Sequence, residues 1–381
     1  VPVKDLSVSA RIGFFINPIA GMGGRVGLKG TDGVVSKALA LGAKPVAQAR
    51  AAMFLRSLKR LCGDKELRVF TCPSPMGESE VVSVRLKADV LPLPIAEPTT
   101  AEDTKLAVRE MMNRGVNPVV FVGGDGTARD VLEASHAKKE AFFLGVPAGV
   151  KMYSGVFANT VEDAAEVVAA HLRGQAQIMD FEVVDVDEED VRRDRFSVRI
   201  CGYLRGPFVP LRLAGVKRIT PDTPDEFENQ RAAARFVLES MDPNGVYLLG
   251  PGKTVKALAD LLSVEKTLLG VDIYSRGRVV KDVNEARILR EVKDFGNVRI
   301  VVSPIGRQGI LFGRGNQQIS PEIINQVGRE KVIVIATKGK MQEIGDAALR
   351  VDTGDPEVDR LLRGHIKAIV GYREWRMVQV C

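Results

Sequence analysis

The run Gly123-Gly124-Asp125-Gly126-Thr127 follows the apolar stretch PVVFV and precedes the helix-like ARDVLEAS. Three glycines let a backbone turn sharply and approach a ligand closely. Their amides can point at phosphate oxygens, and the start of the next helix adds a field that favours anions. Asp125 in such a loop can hold a magnesium ion or take a proton, and Thr127 can cap the helix or bond a phosphate oxygen. A tight turn with an N-cap is the competing reading, but a turn does not need three glycines around a carboxylate. Phosphate binding is the expectation.

A second loop, NPIAGMGG from Asn17 to Gly24, also ends an apolar run. Asn17 can donate to a phosphate or hold the loop, while Gly21, Gly23 and Gly24 offer amides. A GxGxxG dinucleotide fingerprint would need glycine where Val26 stands, so hydride chemistry loses support. In GVPAGVKMYSGVFANT, Lys151 can balance phosphate charge, and Ser154 and Asn159 can line the same crevice, Asn159 reading a base or ribose.

Three further stretches suit an acceptor. GPGKT places Gly250, Gly252, Lys253 and Thr254 on a strand-to-helix junction; a Walker loop would need glycine where Tyr247 stands, so an anion site without a P-loop is expected, with a structural turn as the competing reading. Asn284-Glu285 opens a helical stretch and reads either as an acceptor-binding pair or as an N-cap. The loop from Ser303 through Gly306 to Gln317 carries Arg307, Gln308, Arg314 and Asn316 as donors, which suits a polar, phosphate-bearing ligand better than a lipid.

These residues need elements to position them. Arg11 to Ile16, Leu67 to Cys72, Pro118 to Val122 and Ala141 to Val146 read as strands, with helices over Pro45 to Cys62 and Thr104 to Asn113. Such alternation predicts a parallel sheet with helices on both faces and ligands beyond the strands' carboxyl ends. Ile178 to Val186 and Arg195 to Tyr203 flank the charged stretch Asp187 to Arg195 and predict a separate β-rich unit, with the charges as a solvated turn. After the connector PDTPDEF the alternation resumes. Helices are expected over Glu226 to Ser240, Thr254 to Leu262 and Val283 to Val292, and strands over Val246 to Leu249, Leu268 to Tyr274, Val298 to Val302 and Val332 to Ala336. Ile366 to Val370 and Arg373 to Val380 predict a closing hairpin. The expected division is an N-terminal α/β nucleotide-binding domain over 1–175, a β-rich unit over 176–225, and a second α/β segment over 226–381 completing the ligand crevice.

Length and composition narrow the function. At 381 residues, 45% hydrophobic and 27% charged, the chain is a globular protein of more than one domain rather than a disordered one. Its apolar runs stop short of a spanning helix, and VPVKDLSVSA has no signal-peptide pattern, so no membrane partner and a cytoplasmic location are expected. A net charge of +6 suits a phosphorylated ligand but is too small and dispersed for nucleic acid. Cys62, Cys72, Cys201 and Cys381 form no CxxC pair and are read as buried free thiols. Three histidines without metal or triad spacing leave catalysis to other groups.

The GGDGT run is similar to the signature shared by NAD kinases, diacylglycerol kinases and sphingosine kinases, in which an Asn-Pro-x-x-Gly loop also ends an early strand. With PAGVKMYSGVFANT, TLLGVDIY, SPIGRQGILFGRGNQQISPE and VDTGDPEVD, nearly the whole chain resembles the ATP-NAD kinase-like family of archaea and bacteria that includes the acetoin catabolism protein X relatives. The resemblance implies the NAD kinase-like α/β fold. It also implies a magnesium-dependent kinase moving a phosphate from ATP, or from polyphosphate, to the 2'-hydroxyl of the adenosine ribose of NAD. Asp125 would be the catalytic residue and metal ligand. ATP and NAD, or another small hydroxyl acceptor, are the expected partners, and a homo-oligomer the expected assembly. A kinase of another hydroxyl compound or lipid, and a nucleotide sensor without turnover, are the alternatives.

Overall fold

A computed structural model describes residues 10–28, 35–63, 67–135, 141–149, 152–186, 198–210, 212–213, 224–305, 309–344 and 348–381. The first unit alternates β1 (Ala10–Ile16), α1 (Val35–Ala40), α2 (Ala47–Cys62), β2 (Leu67–Thr71), α3 (Glu78–Ser83), β3 (Lys87–Val90), α4 (Ala101–Asn113), β4 (Val119–Gly123), α5 (Asp125–Ser135), β5 (Phe143–Pro147) and α6 (Val161–Leu172). Its strands are parallel throughout, in the order β3-β2-β1-β4-β5. The chain winds outward from β1 through β2 to β3 and returns to add β4 and β5 on the other side. The carboxyl ends of β1 and β4 are therefore a topological switch point, where open α/β sheets bind ligands.

Strand alternation splits the apolar residues between two faces. Ile12, Phe14 and Ile16 of β1 meet Phe54 and Leu55 of α2, while Phe15 joins Phe121 and Phe157 on the opposite face. Each ring so buried contributes about 1.5–3 kcal/mol. Helix starts follow from local sequence. Thr100 and Asp103 form a capping box on α4, and the Thr160 hydroxyl accepts from Asp163 N at 3.0 Å on α6. Thr-x-x-Asp was the available signal for α6, which strand alternation alone did not reveal.

The ribbon β6 (Gln177–Val186) and β7 (Val198–Phe208) is antiparallel. It is not a free-standing unit, because Phe181, Val183 and Leu204 complete the core on the Phe121 face. The charged stretch Asp187 to Arg195 lies outside the described residues.

The second unit contains α7 (Pro224–Glu239), β8 (Val246–Leu249), α8 (Lys253–Leu261), β9 (Asp272–Ser275), β10 (Arg278–Val280), α9 (Glu285–Glu291), β11 (Val298–Val302), β12 (Ile310–Phe312), α10 (Pro321–Val327), β13 (Val332–Ile335), α11 (Lys338–Ile344), β14 (Arg350–Val351), α12 (Pro356–Leu362), β15 (Gly364–Gly371) and β16 (Glu374–Val380). Its main sheet runs β10-β9-β8-β11-β13-β15-β16 and is mixed: β8, β11, β13 and β15 are parallel, and β9, β10 and β16 are added through antiparallel pairs. β12 and β14 form a separate parallel pair.

Three expectations change. The strand expected from Leu268 starts at Asp272, because the Asp272 carboxylate takes bonds from Thr267 N, Thr267 Oγ1 and Asp282 N, bending the chain before it. PDEF is no connector: Pro224 opens α7, with Asp225 and Glu226 in the first turn, where a fixed φ and negative charge favour a helix start. Of the four thiols only Cys72 is buried, its pKa pushed up to about 12 by burial, with Asp103 adding to the rise, while Cys381 is exposed. Among the described residues no helix is long and apolar enough to cross a membrane.

Candidate active site

The two glycine loops meet at the switch point. Asn17, the residue after β1, donates from its backbone to Val122 O at 2.9 Å and from Nδ2 to Thr127 Oγ1 at 2.9 Å. Residues 110 positions apart are thereby joined by one partly buried side-chain bond. Gly21, at φ 80°, lies so close to the end of β5 that a Cβ there would stand 1.9 Å from Ala148 O. A Cβ on Gly123 would stand 2.5 Å from Thr127. Three neighbouring strand ends are packed backbone against side chain and backbone, and this approach explains both glycines. Gly23 and Gly24 shape the outer turn: Leu28 N donates to Gly23 O at 2.8 Å, and Gly24 N to Gly21 O at 3.4 Å.

Asp125 is the first residue of α5. Its two carboxylate oxygens accept from Tyr153 N at 2.7 Å and Ser154 N at 2.9 Å, which ties the segment after β5 over the GGDGT turn. The Ser154 hydroxyl in turn accepts from Val184 N at 3.1 Å, so the ribbon backs this segment. Burial, reinforced by Asp125, pushes the Tyr153 phenol well above its ordinary pKa and keeps it neutral.

The loop from Asn17 to Leu28 walls two cavities. One, of about 260 Å³, is lined by Asn17, Ile19, Thr100, Gly126, Thr127 and Arg129. The other, of about 460 Å³, lies between the units, with Gly21, Arg25 and Arg50 on one side and Asn284, Glu285 and Gln317 on the other. A nucleoside-sized ligand fits the larger one.

Buried ion pairs hold the units around these cavities. Arg50 Nη1 meets Asp352 Oδ2 at 2.7 Å with both side chains almost fully buried. Asp163, on α6, accepts from Arg212 at 2.7 Å and from Arg350 of the second unit. Arg314 Nη2 donates to Asn159 O at 2.6 Å. Burial lowers the Arg314 pKa to about 10, with Asp352, Asp125 and Asp163 opposing the fall and Arg50 adding to it. At neutral pH it is still a cation, withdrawn from water and within the field of Asp125. For Arg50 burial also acts downward, but Asp352 outweighs it and the pKa rises.

Thus Asn17, Gly21, Gly123, Gly124, Asp125, Gly126, Thr127, Ser154, Asn159 and Arg314 are brought together, and Asn284 and Glu285 border the inter-unit cavity. Asn284 also caps α9, its Oδ1 accepting from Arg287 N at 2.9 Å. Asn316 holds its own turn through Gly313 N at 3.0 Å and Leu311 O at 2.9 Å. The GPGKT turn bonds within the second unit: Gly250 N donates to Val301 O at 2.8 Å and Gly252 N to Leu268 O at 2.7 Å. Ser303 accepts from Lys340 there too. Lys151, Gly306, Arg307 and Gln308 lie outside the described residues.

Arg50 and Asp352 were not expected from sequence. They stand 302 residues apart, and no local pattern announces such a pair. As a magnesium ligand set, Asp125 is a single carboxylate, and among the described residues no three of His, Cys, Asp and Glu could hold an ion by themselves. This fits a magnesium carried mainly by nucleotide phosphates and touched by one protein carboxylate.

Residues 12–176 match the family model of the ATP-NAD kinase N-terminal domain, and residues 243–380 that of the ATP-NAD kinase C-terminal domain. Neither a curated protein nor a solved structure gives a significant match to the chain.

Proposed function

Because the chain belongs to the ATP-NAD kinase-like family and is a phosphotransferase acting on a hydroxyl group, we propose that it phosphorylates the 2'-hydroxyl of the adenosine ribose of NAD at the expense of ATP. The bond between Asn17 and Thr127 carries this reading, since it makes one site of the two loops that offer amides to phosphates. The donor's phosphates would lie across Asn17, Gly126 and Thr127 in the smaller cavity, at the amino end of α5. The acceptor's nucleoside would occupy the inter-unit cavity, reaching the same loop from the side of Gly21, Asn284 and Glu285.

Phosphoryl transfer needs positioning and charge neutralisation more than covalent help from the protein. The acceptor oxygen forms a bond to the terminal phosphorus as the bond to the bridging oxygen breaks, and ADP leaves. Asp125, fixed by the Tyr153 and Ser154 amides, would take the hydroxyl proton or hold the cation. Arg314 adds buried positive potential nearby. The family generally uses a divalent metal with ATP; such an ion, magnesium in this reading, would supply charge neutralisation on the donor phosphates, and Asp125 is the residue that would hold it.

The test is a screen of purified protein with ATP and magnesium against NAD, NADH, sugars, polyols and lipid head groups, following ADP release. NAD should stimulate ADP release and yield NADP. Turnover on a polyol or lipid, with none on NAD, would refute the acceptor and keep the kinase.

A further inference from the structure

β16 closes one end of the second unit's sheet and pairs with one neighbouring strand, β15. The last part of its open side is covered: Leu349 N donates to Gln379 O at 2.7 Å, and Cys381 N donates to Leu349 O at 2.9 Å. A residue's N–H and C=O leave a strand on the same side, and the side alternates from one residue to the next. The one register shift of this ladder falls on β15, between Ile369 and Gly371, so the alternation along β16 is unbroken. Since Gln379 points outward, so do the backbone groups of Met377 and Trp375. Glu374, Arg376 and Val378 turn theirs towards β15, opposite Gly371, Ala368 and Ile366. Among the described residues no strand pairs with the open side of Glu374 to Met377.

The same stretch brings apolar groups to water. Trp375, the chain's only tryptophan, is 51% exposed, and Met377 is 55% exposed. They share a sheet face with Lys367, whose ammonium lies 4.8 Å from the centre of the indole ring. Edge strands that stay single are usually blunted by proline, a bulge or charge. Here the charges are of opposite sign and flank the tryptophan, Glu374 before it and Arg376 after it. Glu374 also meets Lys338 at 2.6 Å, with both side chains about half exposed. In an antiparallel pairing of two copies centred on Trp375, each Glu374 falls opposite Arg376 of the other copy. The charges that would repel a copy if they were alike then attract it.

We propose that the open edge of β16 joins two copies of this chain about a two-fold axis at Trp375. The two Trp375 residues, whose backbone groups point outward, exchange both hydrogen bonds across the axis, and their indoles meet on one face. The pairs of Glu374 with Arg376, one on each side of the axis, fall at the non-hydrogen-bonded positions, where side chains approach most closely. Backbone pairing, charge pairing and apolar contact thus share one centre, and tryptophan and arginine are the residues in which interfaces concentrate their binding energy. The inference goes beyond the NAD assignment and does not depend on it, for β16 lines neither of the two cavities.

Because Trp375 is the only tryptophan, its fluorescence reports the interface without a label. The full chain is taken from nanomolar to high micromolar concentration, with mass read by sedimentation equilibrium and emission read alongside. Mass should rise from one chain to two, and emission should move to the blue over the same range as the indoles leave water. Arg376→Glu should weaken association about tenfold or more, because two attractive pairs become two repulsive ones. Glu374→Lys should do the same. Mixed in equal amounts, the two variants should associate again, since every charge then faces its opposite, a rescue that a local folding defect would not give. A chain that stays single at every concentration overturns the proposal. So does a dimer whose tryptophan emission does not follow its mass, or one that neither variant weakens. Should a variant fail to fold, the mass and emission of the unaltered chain decide alone. Association needs no turnover, so failure here is distinguishable from failure of the NAD assignment.

Discussion

At the carboxyl end of the first sheet, the loops after β1, β4 and β5 are fastened to one another: Asn17 to Thr127, Gly21 against Ala148, and Asp125 to the amides of residues 153 and 154. Among the described residues, the second sheet's strand ends are joined by backbone bonds from Gly250 to Val301 and from Gly252 to Leu268 and by the softer contact of Lys340 with the Ser303 hydroxyl. The first edge is rigid before any ligand arrives, as a site must be that aligns reacting atoms. The second is held within its own unit.

The largest effect should follow from loosening the rigid edge. Asp125→Asn replaces an acceptor oxygen with an amide that cannot serve both the Tyr153 and Ser154 N–H groups, and it removes the proton acceptor. Turnover should fall by roughly 10² to 10⁴ with the fold retained by circular dichroism. Wild-type turnover would end the assignment of Asp125.

Separating the units should cost somewhat less. Asp352→Asn leaves the buried Arg50 without its counter-charge. Breaking such a pair destabilises by about 3–5 kcal/mol, to be read from urea denaturation. A loss below about 1 kcal/mol would mean that the pair does not hold the units together.

The two edges can be compared directly by paired glycine substitutions. Both Gly21 and Gly252 have positive φ, but a methyl group on Gly21 meets Ala148 O whereas one on Gly252 meets open space. Gly252→Ala should lose about 1–3 kcal/mol to backbone strain, and Gly21→Ala more, because the methyl group also meets Ala148 O. Gly21→Ala alone should also lose ATP binding, measured by calorimetry. Equal loss of ATP affinity in both variants would erase the distinction.

The smallest effect is on pH dependence at the softer edge. Lys340 has a folded pKa of about 8 against 10.5 ordinarily, with Glu226 and Glu343 the charged groups acting on it. Between those values the unfolded chain binds more protons, so Lys340's contribution to stability rises with pH across that window and is at its least favourable below it. Lys340→Met should flatten this dependence in a denaturation series.

The rigid edge was largely legible in the sequence because its glycines and Asn17 follow apolar strands at short range, and strand alternation is a local property. The helix α6 escaped although Thr160 and Asp163 carried its start signal. The Leu268 strand was placed too early because its apolar run concealed the bend built around Asp272. The interface was not legible at all: Arg50 with Asp352 and Asp163 with Arg350 are single residues from distant segments, selected by the packing of two sheets. Lys340 gave no signal because its place depends on contact with Ser303, 37 positions away.

Hydrogen exchange tests the central claim, that the NPIAGMGG and GGDGT loops form one nucleotide site facing an acceptor between the units. With a non-hydrolysable ATP analogue and magnesium, amides of residues 17–28 and 123–127 should be protected together. Subsequent NAD should extend protection to residues 284–289 and 313–317. Protection of only one of the two loops by the analogue, or none from NAD in the second unit, would contradict the account.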